Sequence, residues 1–289
     1  MAAIAKLSRS SSRRLNMTRN YQKPFEERSL AVLDIEAISG EQPEDGSFPP
    51  WPTFTPVVAS VLQADLNNHG EWHFQLHAIR FGEDDHPLEK LDELIRGRGL
   101  ITYNGAGFDL PVLMLLAQKA RSFGLGALVS AATQPRYGNI HYDLAQRYSG
   151  YGAARGASLA MLCESLGIPA KYSAHGEDVG ALYDAGEVNE IVEYCHSDVC
   201  ATLILHAHYR ALETGNGRYH ASLTAQFARW VQSEKLTYLA PFAEAAGLAD
   251  LLQRSLLGQI SSARDVARIN SEWRSKQVLD ASFGPAIRY

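Results

Sequence analysis

Cysteine is scarce in this chain: three occur in 289 residues, at 163, 195 and 200. None forms a Cys-x-x-Cys pair, so neither a disulfide framework nor a paired zinc site is expected. A reducing, cytosolic setting fits best. No apolar run approaches the roughly 18 residues that a membrane-spanning helix needs. No Gly-x-x-x-x-Gly-Lys loop, Gly-x-Ser-x-Gly elbow or His-Glu-x-x-His helix is present, which removes the P-loop, serine-hydrolase and zinc-protease readings. There is no internal repeat. Acidic residues are missing from residues 1–25, which hold six of the 27 basic residues (Lys6, Arg9, Arg13, Arg14, Arg19 and Lys23). That segment also lacks the apolar core of a secretory signal.

What is present is an ordinary globular composition, 46% hydrophobic and 20% charged. The formal net charge of −5 hides an asymmetry, because all 32 acidic residues lie beyond residue 25. By charge alone the folded part does not look like a nucleic-acid binder, but an enzyme that meets phosphates through metal ions can carry an acidic site. The chain divides into a basic disordered tail over 1–27, a main domain over 28–213, a helical extension over 214–257 and a polar, weakly ordered tail over 258–289. Met17 is an alternative start, and a transit peptide is a third reading of the basic segment.

The apolar run Ser29-Leu-Ala-Val-Leu-Asp34-Ile-Glu36-Ala-Ile38 reads as a strand over 28–38 buried on both faces. A proline-rich loop follows over 39–53, then strands at 57–62 and 72–76. Asp85 is positioned to cap a helix carrying Leu88, Leu91, Leu94 and Ile95. A short strand at 100–103, a glycine turn at 104–107 and a helix with Pro111 in its first turn come next. A fifth strand is expected at 140–144. Helices follow: one capped by Ser158 and stopped by Gly167, a long one over 187–213, and two more over 218–234 and 241–257. Three leading strands can form a meander, and the helix-linked ones imply parallel crossovers. The order predicts an α/β fold, a mixed five-stranded sheet flanked by helices.

Three acidic segments carry chemistry. Residues two apart in a strand share a face, so Asp34 and Glu36 project side by side. Two carboxylates ~5 Å apart repel by roughly 3 kcal/mol at an effective dielectric of 20, and a hard divalent cation, which takes oxygen ligands, is the simplest compensation. The second segment, Asn104-Gly-Ala-Gly-Phe108-Asp109, places Asp109 where a buried strand gives way to a helix. In the third, Tyr194 and Asp198 are four apart on the long helix and share a face. His196, between them, points away from it. Taken singly, each acid reads equally as a solvated strand end, a helix-start acid or an amphipathic face; the joint occurrence in this order is the informative fact.

These motifs resemble those of the DEDD, or DnaQ-like, superfamily of 3′→5′ exonucleases over roughly residues 28–212. Asp34 and Glu36 match its first motif, Asn104 with Phe108-Asp109 its second, and Tyr194-x-x-x-Asp198 its third. Tyrosine four residues before the last Asp is the mark of the DEDDy branch; the histidine branch would need His where Glu193 stands. The stretches 103–113, 141–144, 158–171 and 191–199 are similar to predicted bacterial exonucleases related to the exonuclease domain of family B DNA polymerases. Ala170, where such sequences tend to have Gly, is a small departure. The resemblance implies a ribonuclease-H-like fold and two divalent ions, Mg²⁺ or Mn²⁺, held by Asp34, Glu36, Asp109 and Asp198, with Asp34 bridging. Tyr194 would orient the attacking water. Asn104, Phe108, Lys171 and His141 become candidate substrate contacts, Asp143 a loop-ordering acid, and Phe48 and Trp51 stacking partners for terminal bases.

The expected substrate is a nucleic-acid 3′ end, single-stranded DNA favoured; an RNA-trimming exonuclease with the same site is the alternative, since the 2′-OH contacts that would discriminate are reported by no motif. A non-catalytic binding module would not need the acidic cluster. The chain would work alone or beside a polymerase or repair protein, in the cytoplasm and away from membranes.

Overall fold

A computed structural model describes residues 25–244 apart from 42, 46 and 171–178, together with Asp250. Five strands form one sheet: β1 (Ser29–Ser39), β2 (Phe54–Leu66), β3 (Trp72–Arg80), β4 (Gly99–Thr102) and β5 (His141–Asp143), in the spatial order β3-β2-β1-β4-β5. β1 pairs antiparallel with β2, and β2 with β3. β1 with β4 and β4 with β5 are parallel. This meander followed by parallel crossovers is the ribonuclease-H-like arrangement. Among the described residues the α-helices, numbered in chain order, include α1 (Pro87–Ile95), α2 (Asp109–Ala120), α3 (Gly126–Ala132), α4 (Leu144–Tyr148), α5 (Leu159–Leu166), α6 (Val179–Asp184), α7 (Val188–Thr214) and α8 (Gly217–Glu234).

Alternation along β1 splits the core in two. Ala31, Leu33 and Ile35 pack with Leu91, Leu113 and Leu128 of α1, α2 and α3. Leu30 and Val32 face the opposite way, onto Cys200, Leu203 and Ala207 of α7 and Phe227 of α8. Asp34 and Glu36 continue the Leu30–Val32 face, so both carboxylates turn toward α7. Because β1 is sandwiched between two helical layers, its apolar run is nearly continuous, as the sequence predicts. The helices after residue 214, expected as an extension, share this core: Leu223, Val231 and Phe242 are buried in it.

Several boundaries differ from expectation. β2 runs well past the apolar stretch because the antiparallel ladder carries Gln63 and Asp65 along with it. It also contains Pro56, which is tolerated because the register shifts there: Glu36 pairs with Val58 but Ala37 pairs with Pro56, leaving Val57 as the extra residue of a bulge. Asp85 does not cap α1. His86 takes that place in the left-handed region (φ 52°), and Pro87, with φ preset, opens the helix. α3 was not foreseen, since seven small and apolar residues behind Gly126 carry no clear helical period. Ser158 does cap α5, accepting from the Met161 N–H, and Gly167 ends it at φ 66°. The expected 241–257 helix, the basic tail up to residue 24 and the C-terminal tail lie largely or wholly outside the described residues. Among the described residues no helix is long and apolar enough to cross a membrane.

Candidate metal centre

The site is built where β1 bulges. A bulge re-aims the side chains beside it, and this one immediately follows Glu36. On the α7 side, Cys195 lies against Asp34: its Sγ donates to Asp34 Oδ2 and to the Asp34 carbonyl, both at 3.5 Å. One ligand atom each from Asp34, Glu36 and Cys195 lie within 4.8 Å of one another. Burial first, then Asp34 and Glu36, pushes the Cys195 thiol well up. It therefore stays protonated and acts as a donor to the carboxylate.

The second segment enters from the end of β4. Asn104 sits at φ 64°, starting a turn that needs glycine behind it: a Cβ on Gly105 would lie 2.5 Å from Thr102 Oγ1. Asp143 holds this turn in place. Its carboxylate accepts from the N–H of Asn104 (3.1 Å), of Ala106 (2.9 Å) and, as the cap of α4, of Gln146 (3.3 Å). The turn delivers Asp109 to the first turn of α2, where its Oδ1 accepts from the Ile35 N–H at 3.0 Å. A helix N-terminus and a hydrogen bond both favour the ionised form, together by about 1–2 kcal/mol. Burial outweighs them, and with Asp143 nearby the Asp109 carboxyl is pushed up to about 7.

The third segment is α7, whose Ile191, Val192 and Cys195 pack with Val58 of β2. That contact sets the helix rotation so that Tyr194 and Asp198 meet the β1 acids. The Tyr194 hydroxyl is pushed well above its ordinary value by burial, then by Asp198, Glu36 and Asp34. It is a neutral phenol at any working pH. His196 faces elsewhere: its Nδ1 lies 2.9 Å from the Tyr238 hydroxyl.

Asp34 is the focus. Burial raises its pKa well above the usual carboxylate range, and Asp109, Glu36 and Asp198 each raise it further. Among the described residues no Lys or Arg side chain offsets them. Asp109, Glu36 and Asp198 thus lie near enough to act on Asp34, and Asp34, Glu36 and Asp198 on Tyr194, although among the described residues Asp109 and Asp198 fall outside the group of ligand atoms within 4.8 Å of one another, which Asp34, Glu36 and Cys195 make up. A dense set of carboxylate oxygens without a neighbouring cation is the donor chemistry of Mg²⁺ or Mn²⁺. The donor set fits such an ion, with the thiol bracing rather than ligating.

The outer candidates fare differently. His141, expected to contact phosphate, is 3% exposed with Nε2 2.7 Å from Thr102 Oγ1. Burial pulls its pKa down to about 4, so it carries no charge to offer a phosphate at neutral pH. It is a packing residue between β4 and β5. Lys171 lies outside the described residues. Asn104 is exposed beside the site. Phe108 packs edge-on against Phe54 at 5.0 Å, and Phe48, 74% exposed, stacks on Phe54 at 5.1 Å. Trp51 is exposed and makes no ring contact among the described residues. Sequence reasoning overlooked Phe54 and Cys195. The second had a signal: it lies three residues before Asp198, on nearly the same helix face.

Among curated proteins, none matches this chain in sequence. In structure it is similar to the family B DNA polymerase from the hyperthermophilic archaeon Pyrobaculum calidifontis, at 19% identity and a TM-score of 0.45, over 79% of this chain and 29% of that one. It is also similar to exonuclease I, at 12% identity and a TM-score of 0.39, over 68% of this chain and 45% of that one. The chain therefore spans under a third of the polymerase and under half of exonuclease I. A family model described as a predicted 3′-5′ exonuclease related to the exonuclease domain of PolB matches residues 75–246. The match is more than half of the chain; it includes Asp109, Tyr194 and Asp198 and begins after β1. The chain belongs to this family of predicted 3′-5′ exonucleases related to the exonuclease domain of PolB.

Proposed function

We propose that this protein is a divalent-metal-dependent exonuclease that removes nucleotides from the 3′ end of single-stranded nucleic acid, DNA ahead of RNA. The observation that carries the reading is the Asp34 environment, in which three further acids act on one half-buried carboxylate. A fold spends stability on such mutual repulsion at sites of function. Family membership supplies the reaction class.

Asp34, Glu36, Asp109 and Asp198 would hold two Mg²⁺ or Mn²⁺ ions. Bound there, such a pair supplies a Lewis-acid clamp on the scissile phosphate, a more acidic water and a stabilised leaving oxygen. The chain's own residues do the positioning. The Ile35 N–H fixes the Asp109 carboxylate through one of its oxygens. The Cys195 thiol fixes one Asp34 oxygen. Tyr194, held neutral, orients the attacking water by a hydrogen bond and takes no proton. Phe48, resting on Phe54, offers a ring face to the terminal base.

The test uses a 5′-labelled single strand with Mg²⁺, with Mn²⁺ and with chelator, comparing wild type with Asp34→Ala. Stepwise shortening from the 3′ end that disappears in chelator and in the variant supports the reading. Equal activity of the two proteins sinks it. Parallel DNA and RNA strands decide the substrate class.

A further inference from the structure

A groove of 590 Å³ is lined by Asn104 and Ala106 of the turn that leads to Asp109 and by Arg136, Arg147 and Tyr151. Its far wall is an arginine–aromatic cluster. The Arg136 guanidinium lies 5.8 Å from the Tyr137 ring centre and 5.1 Å from that of Tyr151. Arg147 lies 5.9 Å from the Tyr151 ring centre and sits closer, at 4.0 Å, over the Tyr142 ring. The two tyrosines meet edge to face at 4.9 Å. Arg147 is partly neutralised by Glu213 at 3.5 Å. Arg136 makes no ion pair among the described residues and is exposed, and Tyr137 is 67% exposed.

The backbone that presents Tyr151 is strained. Gly150, Tyr151 and Gly152 all have positive φ (58°, 58° and 89°), and Tyr151 is the one of the three that resists it. The loop is held there by the Arg136 guanidinium, which donates to the Tyr151 carbonyl. Such a conformation persists only where surroundings over-determine it, and it gathers at ligand clamps. Here it places an aromatic ring near two guanidinium groups, in a chain whose folded part is otherwise acidic.

We infer that this groove carries the nucleotides upstream of the 3′ end, with Arg136 on the phosphate backbone, Tyr151 as a stacking face for unpaired bases within it, and the exposed Tyr137 ring packed on Tyr151 as a second. The inference rests on the exonuclease reading and deepens it. Stacking platforms with interleaved arginine suit a single strand of any sequence, because every base has a π face and every linkage a charge. A duplex would offer no free base face to the tyrosines. The shared turn gives the direction: Asn104 and Ala106 line the groove and lead in the chain to Asp109, so the strand would run from the acids past this turn.

The experiment measures binding of fluorescent dT12 and rU12 to the full chain in chelator, where nothing is hydrolysed, across a series of salt concentrations. Arg136→Ala and Tyr137→Ala should each weaken binding on the order of tenfold. Arg136→Ala should also flatten the dependence of log K on log salt by about 0.7, the increment for one phosphate contact on a single strand. Arg136→Lys should keep the slope. A purely structural Arg136 would leave the slope untouched. Unchanged affinity and slope in the double variant, or no binding by wild type at low salt, overturns the groove. Failure of the exonuclease reading shows separately, as an absent ladder in the hydrolysis assay.

Discussion

The Oδ1 of Asp109 accepts the backbone N–H of Ile35 at 3.0 Å, and Ile35 is the residue between Asp34 and Glu36. The pairing of β4 with β1 ends at Val32 and Ile101. Beyond it the β1 edge has lost its partner strand, and the acid of the next helix takes the place of the ladder. One hydrogen bond therefore fixes the second motif to the first. It also buries a carboxylate beside others, and the consequences are measurable.

Asp109→Asn keeps an oxygen for the Ile35 N–H but removes the charge. The Asp109 carboxyl titrates near 7 in the folded protein and near 3.9 when unfolded. Its folded pKa is raised, so its contribution to stability is full below about pH 4 and is lost as pH rises through about 7. The metal-free variant should be more stable than wild type by on the order of 2 kcal/mol at pH 8, with little gap at pH 4, and inactive throughout. Thermal melts at the two pH values check this; a gap that does not widen with pH contradicts it.

Buried histidines act in the opposite direction. His206 is fully buried with neither ring nitrogen hydrogen-bonded among the described residues, and burial pulls its pKa down to about 3. The unfolded imidazole titrates near 6.5, so between these values the unfolded chain binds the extra proton. Stability from this group is present above pH 6.5 and is lost as pH falls toward 3. His206→Phe, among the rings of Phe25, Tyr142 and Tyr219, should blunt that acid loss. It should also stabilise at neutral pH by about 1 kcal/mol, by removing a polar group without partners. Urea melts from pH 7 to 4 decide it: equal acid sensitivity of both proteins refutes the assignment.

Tyr194→Phe removes a hydroxyl and leaves the ring in its packing. A hydrogen bond of 0.5–1.5 kcal/mol to the attacking water corresponds to roughly a tenfold fall in kcat. Metal affinity should stay within about twofold, since no ligand is lost. Steady-state kinetics with a separate metal titration distinguish the two; an unchanged kcat removes Tyr194 from the reaction.

Phe48→Ala should raise KM for a single strand by about 5–100-fold, the range for losing one base–aromatic stack. Its ring is 74% exposed, so melting temperature should hardly move. A KM equal to wild type would leave the ring as packing for Phe54.

The five strands, the long helix and the five central side chains were legible because each rests on local pattern: parity along β1, the glycine turn before Asp109 and the i, i+4 spacing on α7. What the sequence hid depends on contacts between distant segments. His141 carries the alternating signature of a strand end, but only the parallel pairing of β4 with β5 puts Thr102 against it. Cys195 is one more helix residue until α7 packs on β1. The bulge at Val57 is written in Pro56, though its effect on Glu36 needs the register of two strands. The start of α1 was misplaced because Asp85 is a good capping type, while Pro87 overrides it from the first helical position.

On the proposed reading, acids from three separate segments form one binding centre for two cations. Electron paramagnetic resonance of Mn²⁺ counts bound ions directly, here in the presence of deoxythymidine monophosphate to complete the coordination. Wild type should bind two ions per chain, and Asp34→Asn and Asp198→Asn should lose at least one. The same number of ions in wild type and Asp34→Asn would contradict the account.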